Sequence, residues 1–306
     1  MNYNPEAKFE IEVHELPFRR TERGRQLMAR VYQPLGAGPF PVLLDLHGGA
    51  WNDKDRFANE PMARAIAASG VLVASIDLTL APEAPYPASV QDANYGVRWL
   101  KWKAPGWRGE PATLGVLGSS TGGHLAQLVG MRPRDARFGA LALASASGVD
   151  ATVRYIVTRS PISDPFARYQ QAEKRKRADM MQKTKNWFVP WDAIYEANPQ
   201  QILERREPAT LPPILIMQGS LDDNVLPALQ DEERRKLGGL VPLEDLLRVR
   251  LVDALPGHEP GPGLLHHVGA LSLLGLLVAR VGVADRRARG DVAHRGVDAA
   301  RVGAAR

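Results

Sequence analysis

The sequence predicts an α/β protein built on a doubly wound, mostly parallel sheet. Three observations carry that expectation. Short apolar runs alternate with segments of helical spacing, which is the mark of βαβ units. Several of the apolar runs lack polar alternation, as strands covered on both faces do. One run passes through "GSSTGG" (Gly118–Gly123) straight into a helical stretch. With 306 residues and 44% hydrophobic content, the chain is long enough for one large core.

The elements follow in order. "FPVLLDLHGG" (Phe40–Gly49) reads as a buried strand ending in glycines, and "RFANEPMARAIAASG" (Arg56–Gly70) as a helix with a glycine stop. "VLVASIDL" (Val71–Leu78) is a strand and "PASVQDANYGVRWLKWKA" (Pro87–Ala104) a helix. "ATLGVLGS" (Ala112–Ser119) and "GGHLAQLVGM" (Gly122–Met131) form a strand and the helix after it. "GALALASAS" (Gly139–Ser147) and "PPILIMQGS" (Pro212–Ser220) are read as further strands. Between these two lies a long interruption, about 149–210, expected to be a helical cap. It holds the aromatics Trp187, Phe188 and Trp191, which either fill the core of that cap or line a substrate pocket, and the basic run Lys174–Arg177. That run is read as a solvated helix face, with attraction of anionic substrates as the other reading.

Composition excludes several function classes. There are no cysteines, so disulfides, a cysteine nucleophile and thiolate metal sites are ruled out. The formal charge is +5, yet the segment Ala284–Arg306 alone holds six arginines and three aspartates, 6 − 3 = +3. The body is therefore near neutral, which argues against a nucleic-acid partner. The first residues carry charges throughout and show no apolar leader, so a cytoplasmic location is expected, with no membrane partner. The apolar run Val268–Val283 is broken by Gly269, Ser272, Gly275 and Arg280 and reads as a packing helix. Composition changes late in the chain. After Tyr195 there is no Phe, Trp or Tyr, and from Asp231 onward no Ile, Met, Asn, Gln or Thr. Natural bias and translation of GC-rich DNA in a shifted frame both predict such a loss. The Arg/Ala/Gly-rich segment 284–306 is expected to be disordered.

The chemistry starts at Gly118-Ser119-Ser120-Thr121-Gly122, a G-x-S-x-G match between a strand and a helix. A serine on so tight a bend is pushed above the sheet edge, and glycines flank it because side chains there would strike neighbouring backbone. The central residue, Ser120, is the nucleophile candidate. It needs a base, and the base needs a carboxylate to orient it. In such sheets the order is serine, acid, histidine. "GSLDDNV" after the strand at Ile214 offers Asp222 and Asp223, and the pattern does not choose between them. "LLRVRLVDALPGHE" gives a strand-like alternation, a loop and then His258, the best base. "LDLHGGAW" supplies Gly48 and Gly49, whose N–H groups, with that of Thr121, form an oxyanion hole. Trp51 closes that motif and joins the pocket candidates. His47 and His124 read as buried hydrogen-bonding residues.

Four segments now resemble one family, the hormone-sensitive-lipase-like carboxylesterases of the α/β-hydrolase superfamily. "HGGAW" looks like its oxyanion motif, and "GSSTGGHLA" like its elbow, with Thr121 where Ala is usual. "DLTLAPEAPYPASVQD" (Asp77–Asp92) is similar to its brace segment, with Leu78 and Thr79 in place of Tyr and Arg. "QGSLDDNVLP" resembles its acid loop, and that alignment selects Asp222. The resemblance implies an α/β-hydrolase fold and hydrolysis of small-molecule esters through an acyl-enzyme on Ser120, with Asp222 and His258 as partners. It implies no metal and no cofactor, makes Asp92 a scaffold acid, and leaves a homo-oligomer open. Arylformamidase or carbamate hydrolase chemistry uses the same machinery, and a catalytically silent binding protein could keep the fold.

Overall fold

The computed structural model describes residues 8–219 and 221–228, together with the backbone of 246–251. Eight strands form one sheet in the order β1-β2-β4-β3-β5-β6-β7-β8. β1 (Ile11–Arg20) and β2 (Gln26–Pro34) make an antiparallel hairpin, and β2 also runs antiparallel to β4 (Leu72–Ile76). β3 (Val42–Leu46), β4, β5 (Gly115–Ser119), β6 (Ile156–Arg159), β7 (Ile214–Gly219) and β8 (Leu246–Leu251) pair in parallel.

Every residue of β3, β4 and β5 is buried. Their side chains alternate between two cores, because successive residues of a strand point to opposite faces. Leu44, Leu46, Leu72 and Val116 join one core with α2 (Ala88–Lys103) and α3 (Thr121–Met131). Leu43, Val73 and Leu117 join the other with Met62, Ala63 and Ile66 of α1 (Glu60–Ala68). Asp45 is the polar exception in β3. Its carboxylate accepts from Asn59 Nδ2 at 2.8 Å and Ser75 Oγ at 2.7 Å, while burial raises its pKa.

Two differences from the sequence reading concern strands. The hairpin β1–β2 has no counterpart among the apolar runs of the sequence. In β1, Ile11 and Val13 pack inward between exposed Glu12 and half-buried neighbours, a half-solvated edge strand rather than an apolar run. The strand expected at Gly139–Ser147 does not form. That stretch is largely exposed and holds only a short 3₁₀ turn at Ala144–Ala146. Alanine, glycine and serine bring little apolar area to a sheet, whereas the β-branched run Ile156-Val157-Thr158 fits a buried strand and takes the place beside β5.

The inserted segment therefore starts after β6, not at residue 149, and ends at β7. It carries α4 (Pro165–Lys174), α5 (Ala178–Trp187), α6 (Ala193–Glu196) and α7 (Pro199–Glu204). Two of these helices start on side-chain caps. Asp164 Oδ1 accepts the Ala167 N–H at 2.9 Å and Asn198 Oδ1 the Gln201 N–H at 3.0 Å, each with proline in the first turn. No helix among the described residues is long and apolar enough to cross a membrane.

Candidate active site

The parallel strands β3, β5, β6 and β7 all end on the same edge, where ligands gather in open α/β sheets. Ser120 stands there between β5 and α3 with φ 54° and ψ −117°. For a non-glycine residue that is a strained backbone, held because its surroundings over-determine it. The Ser120 N–H donates to the Arg159 carbonyl at 2.8 Å, and its own carbonyl accepts from the Ile162 and His124 N–H groups, each at 3.2 Å. Ser120 is half-buried at the rim. Ser119 points into the protein, and its Oγ meets no partner among the described residues. Of the two serines, only Ser120 is presented.

The glycines around the bend have no room for a side chain. A Cβ on Gly118 would lie 2.2 Å from the Gly122 carbonyl oxygen, and one on Gly122 would lie 2.1 Å from that of Leu46. Such contacts are far inside van der Waals range, so the elbow exists only with backbone there. The end of β3 lies against the same bend: a Cβ on Gly48 would stand 3.1 Å from Ser120 Cβ. Gly48 and Thr121 thus come together beside the candidate nucleophile.

The loop after Gly48 is built from left-handed backbone, with φ of 112° at Gly49, 51° at Ala50 and 60° at Trp51. The Gly49 carbonyl closes it by accepting from the Asn52 and Asp53 N–H groups, both at 3.0 Å. The Trp51 N–H reaches Thr121 Oγ1 at 3.4 Å, a long bond, and the Trp51 carbonyl accepts from the Ala81 N–H at 3.0 Å. Sequence reasoning missed both the strain and the Thr121 tie. The signal for the tie was present in the threonine itself, where the resembling family has alanine.

The acid loop follows β7. Asp222 Oδ1 accepts the backbone N–H of Asn224 at 3.0 Å and of Val225 at 2.8 Å, and Oδ2 accepts from Gln218 Nε2 at 3.2 Å. Three donors fix that carboxylate in place. Asp223 is exposed, and its carbonyl accepts from Arg175. The geometry thus gives Asp222 the anchored position. β8 leaves the sheet at the same edge as β7. His258 lies outside the described residues, as does the segment 284–306.

His47 and His124 are tied into the core. His124 is buried on α3. Its Nδ1 accepts from Trp51 Nε1 at 3.2 Å, and its Nε2–H donates to the Ala197 carbonyl at 2.7 Å. Burial pushes its pKa down to about 4, so the ring is neutral. His47 donates from Nδ1 to the Gly48 carbonyl at 2.7 Å, and burial lowers its pKa as well. Neither ring is placed to serve Ser120 as a base.

The pocket candidates turn out to be packed rather than open. Trp51 stacks on Trp187 with centroids 5.0 Å apart, Phe188 meets Trp187 edge-on at 4.6 Å, and all three are buried. Trp187 Nε1 donates to Ser89 Oγ at 2.9 Å. These rings form a closed seam between the inserted helices and the elbow, and burial of large aromatic area accounts for them. Trp191 is half-buried against Tyr169 at 4.7 Å.

Asp92 sits behind the site, fully buried on α2. It accepts from the Thr79 N–H at 2.6 Å and pairs with Arg19 of β1. Burial still raises its pKa despite the arginine. The acid thereby locks the brace segment Asp77–Asp92 to the hairpin. Among the described residues, no group of three or more His, Cys, Asp or Glu side chains is arranged to hold a metal ion.

A strained serine elbow on the central strand of a doubly wound sheet defines an α/β-hydrolase fold, and known structures agree. Esterase B from Lactobacillus rhamnosis superposes with a TM-score of 0.69 over 94% of this chain and 93% of its own, at 18% identity. The thermophilic carboxylesterase EstE1, cloned from a metagenomic library, gives 0.65 over 90% of each chain at 21% identity. At such identities the likeness is one of fold. The chain belongs to the BD-FAE family, whose pattern matches residues 30–236. Carboxylesterase NlhH of Mycobacterium tuberculosis is 36% identical over 108 residues, covering 35% of this chain and 34% of that protein. Carboxylic ester hydrolase LipN of the same organism is 37% identical over 112 residues, covering 36% and 30%. The chain thus spans about a third of the length of the curated relatives it matches.

Proposed function

We propose that the protein is a serine carboxylic-ester hydrolase working through an acyl-enzyme. The observation that carries this reading is the Ser120 backbone, held at φ 54° with Gly48 packed against its Cβ. In the reaction, Ser120 Oγ adds to the ester carbonyl carbon while His258 takes the hydroxyl proton. Backbone N–H groups of Gly48, Gly49 and Thr121 hold the oxyanion. Such donors contribute about 2.7–4 kcal/mol each to the transition state. Collapse of the tetrahedral intermediate breaks the ester C–O bond, and His258 gives its proton to the departing alcohol. Water then repeats the sequence on the acyl-Ser120, releasing the acid. Asp222 keeps His258 in the tautomer with a free Nε2. The fixed carboxylate of Asp222, held by three donors, supports its selection over Asp223.

The acyl and alcohol groups are small or aromatic in this reading. Closure of the Trp51–Trp187–Phe188 seam supports that preference, since those rings pack on each other instead of walling a long apolar trough. The names of the curated relatives support ester over amide substrates.

A fluorophosphonate probe tests the reading directly. Expected are stoichiometric labelling of Ser120, located by peptide mass mapping, and turnover of p-nitrophenyl acetate well above that of N-formylkynurenine or an aryl carbamate. A folded protein that takes no label overturns the hydrolase reading in favour of a binding protein. Faster turnover of the formamide or carbamate overturns the ester assignment alone.

A further inference from the structure

Arg168 is out of place for an arginine. It lies on the inward face of α4, only 4% exposed. Buried guanidinium groups are almost always paired with a carboxylate, because removing the charge from water is costly. Here no carboxylate lies within ion-pair distance among the described residues. Its Nη2 has Asn224 Oδ1 at 3.4 Å and Met180 Sδ at 3.9 Å, both weak contacts, and Nε has no partner among the described residues. Three residues further along the helix, both amide atoms of Gln171 are buried and equally without partners. Arg168 and Gln171 line one narrow cleft, walled on the other side by Asp223 and Asn224 of the acid loop.

Two members of the basic run Lys174–Arg177 complete the rim. Arg175 donates to the Asp223 carbonyl and so ties the end of α4 to the acid loop. Among the described residues the Arg177 side chain has only a loose 3.9 Å pair with Asp179. Arg177 opposes the charge of Arg168, while Asp179 and Asp222 favour it. The aspartates do not offset burial and Arg177, and the Arg168 pKa falls to about 10. It remains a cation at neutral pH, with no carboxylate among the described residues close enough to pair with it. A solvated helix face accounts for Lys174 and Lys176, which are exposed, but not for Arg168.

We propose that the cleft between α4, the α4–α5 turn and the acid loop is a binding site for a small oxyanion, a carboxylate or a phosphate. Arg168 is its deep ligand, Gln171 donates an amide N–H, and Arg177 covers the ligand from the rim. A guanidinium presents two parallel N–H donors at the spacing of two oxyanion oxygens, which selects this chemistry over a halide. The proposal does not depend on the ester-hydrolase reading, since neither Arg168 nor Arg177 belongs to the reaction machinery.

Thermal unfolding and isothermal titration of the full chain test it, at constant ionic strength, with sodium acetate, sodium phosphate and sodium chloride as separate titrants. A saturable rise in melting temperature and a measurable heat with acetate or phosphate, and none with chloride, is the expected result; the larger response identifies the carboxylate or phosphate source. Arg177→Gln is expected to weaken binding by about threefold, the size of one rim charge. Arg168→Met is expected to abolish it. Methionine also removes an unpaired buried charge, so this variant should be at least as stable as the parent in chloride. If Arg168→Met does not fold, Gln171→Leu and Arg177→Gln carry the test. Equal responses to all three anions, or acetate and phosphate responses unchanged in Arg177→Gln and Gln171→Leu, overturn the site.

Discussion

The elbow around Ser120 and the acid loop around Asp222 stand on the same edge of the sheet, but they are held in opposite ways. The elbow is a backbone construction. Its neighbours are carbonyl oxygens of Leu46 and Gly122, approached so closely that only glycine fits at positions 118 and 122. The acid loop is a side-chain construction, in which one carboxylate gathers two backbone N–H groups and a glutamine amide. Its glycine, Gly219, is uncrowded: a Cβ there would be 3.8 Å from the nearest atom, Asp222 Cβ. The contrast suits the two tasks proposed for Ser120 and Asp222. A nucleophile must occupy one point relative to the oxyanion donors, and backbone packing defines that point. An acid that only orients another side chain can be held by hydrogen bonds.

The largest expected effect breaks the elbow side at its chemistry. Ser120→Ala should leave a folded protein with ester turnover reduced by about a millionfold and no fluorophosphonate labelling. Ser119→Ala should keep turnover within about twofold, because its hydroxyl faces the core without a partner. Steady-state kinetics on both variants decides the matter, and a dead Ser119→Ala with active Ser120→Ala reverses the assignment. On the other side, Asp222→Asn should lower kcat by roughly 10 000-fold, whereas Asp223→Asn should behave like the parent enzyme. Circular dichroism on Asp222→Asn separates a lost carboxylate from a collapsed loop.

Next comes the scaffold. Gly122→Ala drives a methyl to 2.1 Å from a backbone oxygen that cannot move without breaking β3. The expected cost is about 3 kcal/mol or more, the upper range for a single substitution, read as a fall in the urea midpoint. A variant that keeps the parent midpoint would contradict the backbone account of the elbow.

These two regions also differ in how far the sequence reveals them. The elbow was legible because steric need writes itself as residue identity: where no Cβ fits, glycine must appear, so Gly118 and Gly122 stand out. Choosing Asp222 over Asp223 took a family resemblance, since hydrogen bonds to backbone N–H leave no mark on the donor residues. The strands themselves were accessible wherever a strand is apolar on both faces, as in β3, β4 and β5. The reading failed at β1, whose period-2 pattern is diluted by charge, and at Gly139–Ser147, where small residues mimic an apolar run without the area to be buried. The aromatic cluster stayed ambiguous for a related reason. Aromatics near a site read equally as pocket wall or as packing, and only their mutual contacts decide.

A smaller effect appears with pH. His124 couples the elbow helix to Trp51 and to the Ala197 carbonyl only as a neutral ring. Its folded pKa of about 4 lies below the unfolded value of 6.5, so the unfolded chain binds the proton more readily. Its contribution to stability is complete above pH 6.5 and is lost as pH falls from there towards 4. The slope is about 1.4 kcal/mol per pH unit for this one proton. His47, also shifted down, adds to it in the same sense. Urea titrations at several pH values should show that slope, and His124→Gln, which cannot be protonated, should flatten it. An unchanged slope would place the acid sensitivity in the carboxylates instead.

The smallest expected effect is the sharpest test of the comparison. Gly219 lies at the end of β7, near the acid proposed for the triad, so proximity to the site predicts that alanine there should be as harmful as at Gly122. The packing predicts otherwise. The added methyl meets Asp222 Cβ at 3.8 Å and the Asp222 nitrogen at 4.0 Å, ordinary van der Waals contacts. Replacing glycine also reduces the freedom of the unfolded chain, which offsets any minor strain. Gly219→Ala should therefore sit within about 0.5 kcal/mol of the parent in urea unfolding and keep its kcat. If it instead matched Gly122→Ala, the acid loop would be as tightly constrained by its backbone as the elbow, and the carboxylate would not be what holds it.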